Sequence, residues 1–153
     1  MNYIIREIAE SEYKVLDDFL YEAIFIPEGV SAPSREILYQ PELQVYVDGF
    51  GTKDGDFAFV ADIDGEIVGA VWTRIMNDYG HIDNDTPSFA ISLYKEYRNL
   101  HLHLLHSLLH SFLTVLHSQS YHRLHLFPHH CLLFCEETSL KAQFLQDAPQ
   151  LHL

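Results

Sequence analysis

The sequence predicts a mixed α+β domain in which short strands are combined with a few amphipathic helices. Hydrophobic residues recur every second position in several short segments and at helical spacing in others. The dipeptide Asp64-Gly65 joins two runs that are rich in β-forming residues, and a long leucine-rich run follows later. With 153 residues, 48% hydrophobic and 20% charged, the chain suits one core, so we expect one domain over residues 1–153.

The first half of the chain predicts a strand, two helical segments and a hairpin. "YIIREI" alternates as a strand, and Ser11 is the predicted N-cap of the helix that follows. "SREILYQPELQVYVDGFG" starts from a predicted cap at Ser34 and is interrupted at Pro41, which indicates a two-part helix. "DFAFVADIDGEIVGAVWTRI" predicts a tight hairpin, because Asp-Gly is a preferred dipeptide of two-residue hairpin turns.

The second half predicts a strand, a long helix and a final strand. "SFAISLY" reads as a strand after the polar loop "NDYGHIDNDTP", and "YHRLHLF" alternates as the last one. Between them, one helical stripe is predicted from the leucines, with Leu104 and Leu108 widening it: Leu102, Leu105, Leu109, Leu113 and Leu116. The resulting order, β-α-α-β-β-β-α-β, predicts one late crossover helix.

Charge and cysteine content limit the class of partner and the compartment. The formal net charge of −13 argues against nucleic acid and anionic membranes as partners and favours a cationic or amine-bearing one. An acidic surface that only keeps the protein soluble is the alternative. "MNYIIREIAESEYK" carries charge from Arg6 onward and predicts no targeting segment, and two cysteines are too few for a disulfide scaffold. We therefore expect a cytoplasmic protein.

Two segments, taken with the order of elements, resemble the GNAT superfamily of N-acetyltransferases. "FAFVADIDGEIVGAVWTRI" is similar to the family's central hairpin, and "DYGHIDNDTPSFAISLYKEYRN" to the strand before its signature. That signature begins with arginine or glutamine, followed by any two residues, a glycine, any one residue, and then glycine or alanine. Arg98 matches its first position. Residues 1–98 match well, 99–127 match only in pattern, and 128–153 do not match. The resemblance implies a mixed, mostly antiparallel, twisted sheet flanked by helices.

The resemblance also implies acetyl-CoA as co-substrate. The acceptor would be an amine on a small molecule or peptide, and the family allows a homodimer. The strand before the signature would splay from its neighbour and bond the pantetheine arm through the backbone of Ser92, Leu93 and Tyr94. Backbone N–H groups at the following helix N-terminus would hold the pyrophosphate, since unpaired amides and the helix dipole favour an anion. The residues implied are Arg98, Asn99, Leu100, His101, Leu102 and His103.

The two glycine positions of the signature are occupied here by His101 and His103. Glycine lets the backbone adopt positive φ and lets a phosphate approach closely, and a side chain obstructs both. A non-glycine residue in the left-handed region costs about 1–3 kcal/mol. We therefore expect weaker cofactor binding, and a non-catalytic binding domain with the same fold is the alternative function.

Four residues are candidates for acid–base chemistry. By resemblance, Glu22 and Tyr21 lie at the end of the first helix, where such enzymes usually build the acceptor site. His81 and Asp83 lie in the loop before the splayed strand. Transfer requires a base for the amine and an acid, often tyrosine, for the leaving thiolate. The tail "PHHCLLFCEETSLKAQFLQDAPQLHL" has no tyrosine, so the acid must come from elsewhere; each candidate could equally be a surface or capping residue.

Histidine enrichment supports a third hypothesis, a His/Cys metal-binding protein. Ten of the eleven histidines follow Asn99; His106 and His110 are four apart, and Cys131 and Cys135 add thiolates. The histidines recur without a fixed ligand spacing, so we assign no metal ligands. A tail that loses glycine and charge fits either a diverged lineage or a reading-frame error after an intact first half.

Overall fold

The computed structural model describes residues 2–24, 26, 29–76, 83–98, 102–118 and 125–126, which form a five-stranded sheet with helices on both faces. Its strands lie in chain order, and they are β1 (Ile4–Glu7), β2 (Phe57–Ile63), β3 (Glu66–Arg74), β4 (Ser88–Leu93) and β5 (His125–Leu126). The pairs β1–β2, β2–β3 and β3–β4 are antiparallel, and β4–β5 is parallel. The predicted α+β class and the mixed, mostly antiparallel sheet are confirmed.

Four α-helices accompany the sheet in the described residues: α1 (Val15–Glu22), α2 (Pro41–Gln44), α3 (Lys95–Arg98) and α4 (Leu102–Ser118). Short 3-10 helices cover Glu10–Glu12 and Arg35–Tyr39. The second helix predicted from sequence is therefore a 3-10 helix and one α-helical turn, divided where Pro41 starts α2. None of the helices in these ranges is long and apolar enough to cross a membrane.

The predicted hairpin is confirmed in its backbone angles. Asp64 and Gly65 adopt φ values of 53° and 89°, and Asp64 is the one non-glycine residue with positive φ in the described part of the chain. Positive φ at both central residues is the type I′ geometry, whose twist matches that of the flanking strands. The Gly65 amide also donates to Asp62 Oδ1 at 2.8 Å, so the turn is closed by a side chain of β2.

One predicted helix cap is confirmed and the other is wrong. Ser34 Oγ accepts a hydrogen bond from the Glu36 amide at 3.3 Å, as predicted. Ser11 instead lies inside the first 3-10 helix, and the Glu12 carboxylate accepts the Ala9 amide at 2.9 Å. Arg6 on β1 holds that carboxylate through two hydrogen bonds of 2.7 and 2.8 Å, which places Glu12, rather than a serine, over the start of the helix.

The sheet separates two hydrophobic clusters. Helix α1 covers one face with Leu16, Phe19 and Leu20, which pack with Trp72 of β3. Helix α4 covers the other face, where Leu108 and Phe112 are fully buried with residues of β2, β3 and β4. Because alternate residues of a strand face opposite sides, β3 and β4 contribute to both clusters and carry few polar side chains.

The predicted leucine stripe of α4 is displaced around the helix axis. The most buried side chains are Leu104, Leu105, Leu108 and Phe112, whereas Leu109 and Leu113 are only partly buried. Phe112 decides this orientation, because its ring lies 5.8 Å from Phe57 and 6.3 Å from Phe89, measured between centroids. A period read from leucines alone could not include this aromatic contact with the sheet.

A buried ion pair fixes the loop before β2 to the end of β3. Arg74 is 1% exposed, and its Nε and Nη2 donate to the two oxygens of Asp56 at 2.8 Å each. Arg74 Nη1 also donates to the backbone carbonyl of Asp48 at 2.6 Å, and Asp56 Oδ2 accepts the Gly51 amide at 2.8 Å. Every charge in the pair thus has polar partners, as a buried pair requires.

Candidate functional site

The candidate site lies at the carboxyl end of β4, where the pairing of β4 with its two neighbours differs. The ladder with β3 continues to the end of the strand, through Ala70–Ser92 and Gly69–Leu93. The ladder with β5 contains only Ser88–His125 and Phe89–Leu126. Within the described part of the chain, residues 90–93 therefore have no strand partner on their β5 side. Backbone groups at a strand edge without a neighbour can hydrogen-bond a ligand, and the Leu93 carbonyl here already accepts from Arg98 Nε at 2.9 Å.

Arg98 connects this end of β4 to the end of α1. Its Nε donates to the Leu93 carbonyl at 2.9 Å, and its Nη2 donates to both the Glu22 carbonyl and Glu22 Oε2 at 2.6 Å. The side chains of Arg98 and Glu22 are 26% and 24% exposed. Burial lowers the pKa of Arg98, and the charge of Glu22 opposes that shift.

Glu22 and Arg98 were predicted for different roles, and the structure brings them together as an ion pair. Arg98 lies in α3, one turn after β4, so its side chain turns back across the strand end to α1. The guanidinium serves the Glu22 carboxylate and two backbone carbonyls, one of them at the end of α1. Carbonyls at a helix C-terminus lack intrahelical donors, so Arg98 also acts as a cap for α1.

Tyr21 is turned to a different neighbour. Its hydroxyl donates to the Pro33 carbonyl at 2.6 Å, and the Arg35 guanidinium lies 4.9 Å from the centre of its ring. Arg35 also pairs with Asp18 on α1. These contacts attach the segment around residues 33–35 to α1, and they occupy the hydroxyl proton of Tyr21. Its catalytic role stays a prediction.

Ser92 near the end of β4 and Tyr94 just after the strand are the next two predicted residues. Ser92 is 0% exposed, and its Oγ has no hydrogen-bond partner among the residues described. The ring of Tyr94 lies 4.8 Å from that of Phe19 on α1. Burial raises the pKa of the Tyr94 hydroxyl, and the nearby carboxylates of Asp18 and Glu22 raise it further. The Tyr94 hydroxyl is therefore held in its protonated form.

Sequence analysis named Tyr94 only for its backbone and missed this side chain. A signal was present, since residues 90, 92 and 94 share one face if the strand alternation continues to Tyr94. The neighbouring carboxylates come from α1, more than seventy residues earlier, and no local pattern indicates their position.

Helix α4 begins at Leu102, shortly after α3, so the predicted strand–turn–helix order is confirmed. His103 lies inside α4 and has no positive φ, so the expected backbone strain at this position is wrong. Its exposed ring lies 5.7 Å from that of Tyr3, which precedes β1. Asn99, Leu100, His101 and the side chain of Leu102 lie outside the described residues, so their predicted contacts stay predictions.

Asp83 is the one remaining acid–base candidate among the described residues, and it lies at the opposite end of β4 from the Glu22–Arg98 pair. Asp83 Oδ1 accepts the Asp85 amide at 2.9 Å in the loop that leads to the start of β4. That loop meets β4 at Ser88, and Arg98 is bonded at the other end of the strand, at Leu93. His81 lies outside the described residues, as do Cys131 and Cys135. In the ranges described, no group of three or more His, Cys, Asp or Glu residues could hold a metal ion.

Comparison with known proteins supports the fold through structure and not through sequence. No protein-family model matches the sequence, and no curated protein matches it. A possible acetyltransferase from Clostridium difficile 630 matches with a TM-score of 0.56 at 13% identity, covering 100% of this chain and 93% of that one. A GNAT-family acetyltransferase from Streptococcus pneumoniae matches with a TM-score of 0.52 at 19% identity, covering 82% and 74%.

A third solved structure is of an enzyme with a ligand. It is AAC(6')-Iy in complex with the bisubstrate analogue CoA-S-monomethyl-acetylneamine, which matches with a TM-score of 0.53 at 12% identity and covers 100% of this chain and 92% of that one. At these identities the likeness establishes the fold alone. The fold of this chain is GNAT-like.

Proposed function

We propose that this protein is an N-acetyltransferase that uses acetyl-CoA and a primary amine of a small molecule or peptide. The observation that carries this proposal is the carboxyl end of β4. There, the strand keeps its β3 ladder but has no β5 partner at residues 90–93 in the described chain, and a helix of 17 residues follows. In a GNAT-like fold, this arrangement leaves an extended backbone edge and a helix N-terminus next to each other.

One observation at Ser92 supports acetyl-CoA as the co-substrate. The buried Ser92 Oγ lacks a partner among described residues, and an orphaned polar atom is costly unless a ligand or water pairs with it. We propose that the backbone of Ser92, Leu93 and Tyr94 binds the pantetheine arm, and that the amides of residues 99–103 bind the pyrophosphate. The cofactor-binding role of Arg98 stays a proposal for its backbone, while its guanidinium serves Glu22 and Leu93 and positions the strand end.

The chemistry divides between two side chains. Acetyl-CoA supplies the acetyl group as a thioester. We propose that Glu22 Oε1, which makes no hydrogen bond to a described residue, receives the acceptor amine, while Oε2 stays with Arg98. Tyr94 is the proposed proton donor, because its ring packs against Phe19 of α1, the helix that carries Glu22. An acceptor that is cationic suits the net charge of −13.

A non-catalytic binding domain is the second candidate. The observation that favours it is the same ion pair, because Glu22 and Arg98 satisfy each other without any ligand. In that case the GNAT-like fold is retained and the cofactor no longer stabilises it.

Two measurements on the full chain test the proposal. Acetyl-CoA at about 100 times its Kd should raise the free energy of unfolding by about 2.7 kcal/mol, which is about 5–10 °C in Tm for a chain of this size. Turnover with a panel of amines, followed as release of free thiol, should then be detected. If acetyl-CoA neither raises Tm nor supports thiol release, the transferase proposal fails and the binding domain remains.

The role of Tyr94 is tested separately. Tyr94→Phe should lower kcat by about 100-fold, as loss of a general acid does, and leave acetyl-CoA affinity within about 2-fold. Tyr39→Phe is the matched control, since Tyr39 is 79% exposed and has no assigned role. Equal kcat for the two variants would remove Tyr94 from the mechanism.

A further inference from the structure

The exposed face of α4 carries histidines at intervals of one turn. His103, His106 and His110 are all exposed, and the rings of His106 and His110 lie 6.1 Å apart between centroids, with planes inclined by only 23°. Residues four apart are neighbours on a helix surface, so the two rings lie over the same patch. Among the three histidines of this half whose side chains the structure describes, His106 and His110 are the two whose rings stack on each other.

Within the part of the chain that the structure describes, neither ring of the pair has another partner. The imidazoles of His106 and His110 make no hydrogen bond or ion pair with any residue in the described ranges, and their one ring contact is with each other. His103 differs, because its ring lies against Tyr3 at 5.7 Å and a tilt of 45°. The pair therefore presents ring nitrogens to solvent on two side chains that already share one direction.

The helix that carries the pair is held by its opposite face. Leu104, Leu108 and Phe112 are at most 1% exposed in the cluster under α4. The hydroxyls of Tyr3 and Ser107 also share a hydrogen bond of 2.9 Å. These contacts set the rotation of α4 and keep the histidine face outward. Both ligands are thus fixed on a rigid element, which reduces the entropy lost when a ligand binds them.

We propose that His106 and His110 form a bidentate site for a divalent transition-metal cation. Imidazole nitrogens bind Zn²⁺ at about 2.0–2.1 Å, and imidazole also suits Cu²⁺ and Ni²⁺. Rotation of the two exposed side chains brings one nitrogen of each ring to a shared cation. Water occupies the other coordination positions, since no group of three or more potential ligands in the described residues could hold a metal. The site is independent of the acetyltransferase proposal.

The affinity of such a site depends on both rings together. Once the first imidazole is bound, the second binds as an intramolecular ligand at a high effective concentration. Removing either ring should therefore weaken binding by about 10-fold or more, although each variant keeps nine or more other histidines. A cation bound across one turn also favours the folded helix over the unfolded chain and raises Tm.

The experiment uses variants of the full chain with equal numbers of histidines. All carry His103→Ala and His117→Ala, because His103 is three positions from His106 and a histidine at 114 would be three positions from His117. Thr114 is exposed, and it is four positions from His110 and eight from His106. His106→Ala with Thr114→His moves the pair by one turn, whereas His110→Ala with Thr114→His separates the histidines by about 12 Å along the axis.

Zn²⁺ and Cu²⁺ affinities are measured by calorimetry, and the metal-dependent rise in Tm is checked for reversal by a chelator. We expect the parent with His117→Ala alone, the same parent with His103→Ala added, and the moved pair to bind with the same Kd within about 3-fold, and the separated pair to bind about 10-fold more weakly. Circular dichroism verifies that each variant is folded. Equal affinity of the separated and moved pairs, or loss of binding in His103→Ala alone, would overturn the assignment.

Discussion

Removing the Arg98 side chain tests most directly the hydrogen bonds that connect the end of α1 to the end of β4. In Arg98→Ala, the backbone carbonyls of Leu93 and Glu22 and the Oε2 atom of Glu22 lose their charged donor. Hydrogen bonds to charged groups contribute about 1.5–3 kcal/mol each when buried. Since about a quarter of each side chain is exposed, water replaces part of that, and we expect a loss of about 2–3 kcal/mol in the free energy of unfolding.

The assay is urea denaturation at near-neutral pH, followed by circular dichroism, with thermal unfolding alongside. The loss corresponds to a fall of about 4–12 °C in Tm for this chain length. Arg35→Ala is the matched control, because Arg35 also pairs with a carboxylate of α1 but the two side chains are 56% and 41% exposed. Exposed pairs contribute about 0–1 kcal/mol, so this variant should change little.

A double-mutant cycle then isolates the pair. Combining Arg98→Ala with Glu22→Ala should show a coupling energy of about 1–2 kcal/mol, because the two residues are in direct contact. If Arg98→Ala costs no more than Arg35→Ala, or if the two substitutions are additive, Arg98 does not hold the strand end and the account of the site is refuted.

Three further predictions concern stability. Asp56→Asn should lower the free energy of unfolding, measured by urea denaturation, by about 3–5 kcal/mol, because it leaves the Arg74 charge buried without its partner. Asp54→Asn in the same loop should change it by less than about 0.5 kcal/mol, and similar losses for the two variants would contradict the buried pair. Gly69→Ala should lose about 1–3 kcal/mol, since its Cβ would lie 2.1 Å from Leu93 Cδ2 and 3.2 Å from a backbone carbonyl, and an unchanged urea midpoint would show that this contact relaxes freely. Hydrogen bonds from Arg6 and the Ala9 amide lower the pKa of Glu12 from its ordinary value of 4.5. Their stabilisation is therefore present above about pH 4.5 and is lost as the pH falls through the folded pKa. Glu12→Gln should reduce the drop in unfolding free energy between neutral and acid pH by about 0.5–1 kcal/mol, and an identical acid profile would contradict this.

Local patterns were sufficient for most of the elements. The Asp64-Gly65 turn, the Ser34 cap, the interruption at Pro41 and the strand–turn–helix order around Arg98 were all predicted correctly. Each depends on backbone preferences of residues within a few positions of one another, so the residue types alone indicate the structure. The Ser11 cap failed because Arg6, on a strand, holds Glu12 in the capping position.

The candidate site was predictable only in part. Sequence resemblance selected Arg98 and Glu22 separately, but their ion pair joins residues 76 positions apart and required both α1 and β4 to be packed. The same holds for the Tyr94 hydroxyl, whose pKa is raised by burial and by carboxylates of α1. Such partners depend on the three-dimensional arrangement of elements and leave no periodic signal in the chain.

The sequence by itself determined the order of strands and helices, the hairpin, and the presence of histidines four apart on one helix. The tertiary structure alone decided that Arg98 is bonded to Glu22, that the described part of β5 pairs in parallel with the start of β4, and that Phe112 turns the histidines of α4 outward. The physical reason is range: backbone preference acts between neighbours in the chain, whereas ion pairs, ladders and core contacts require elements that packing has already brought together.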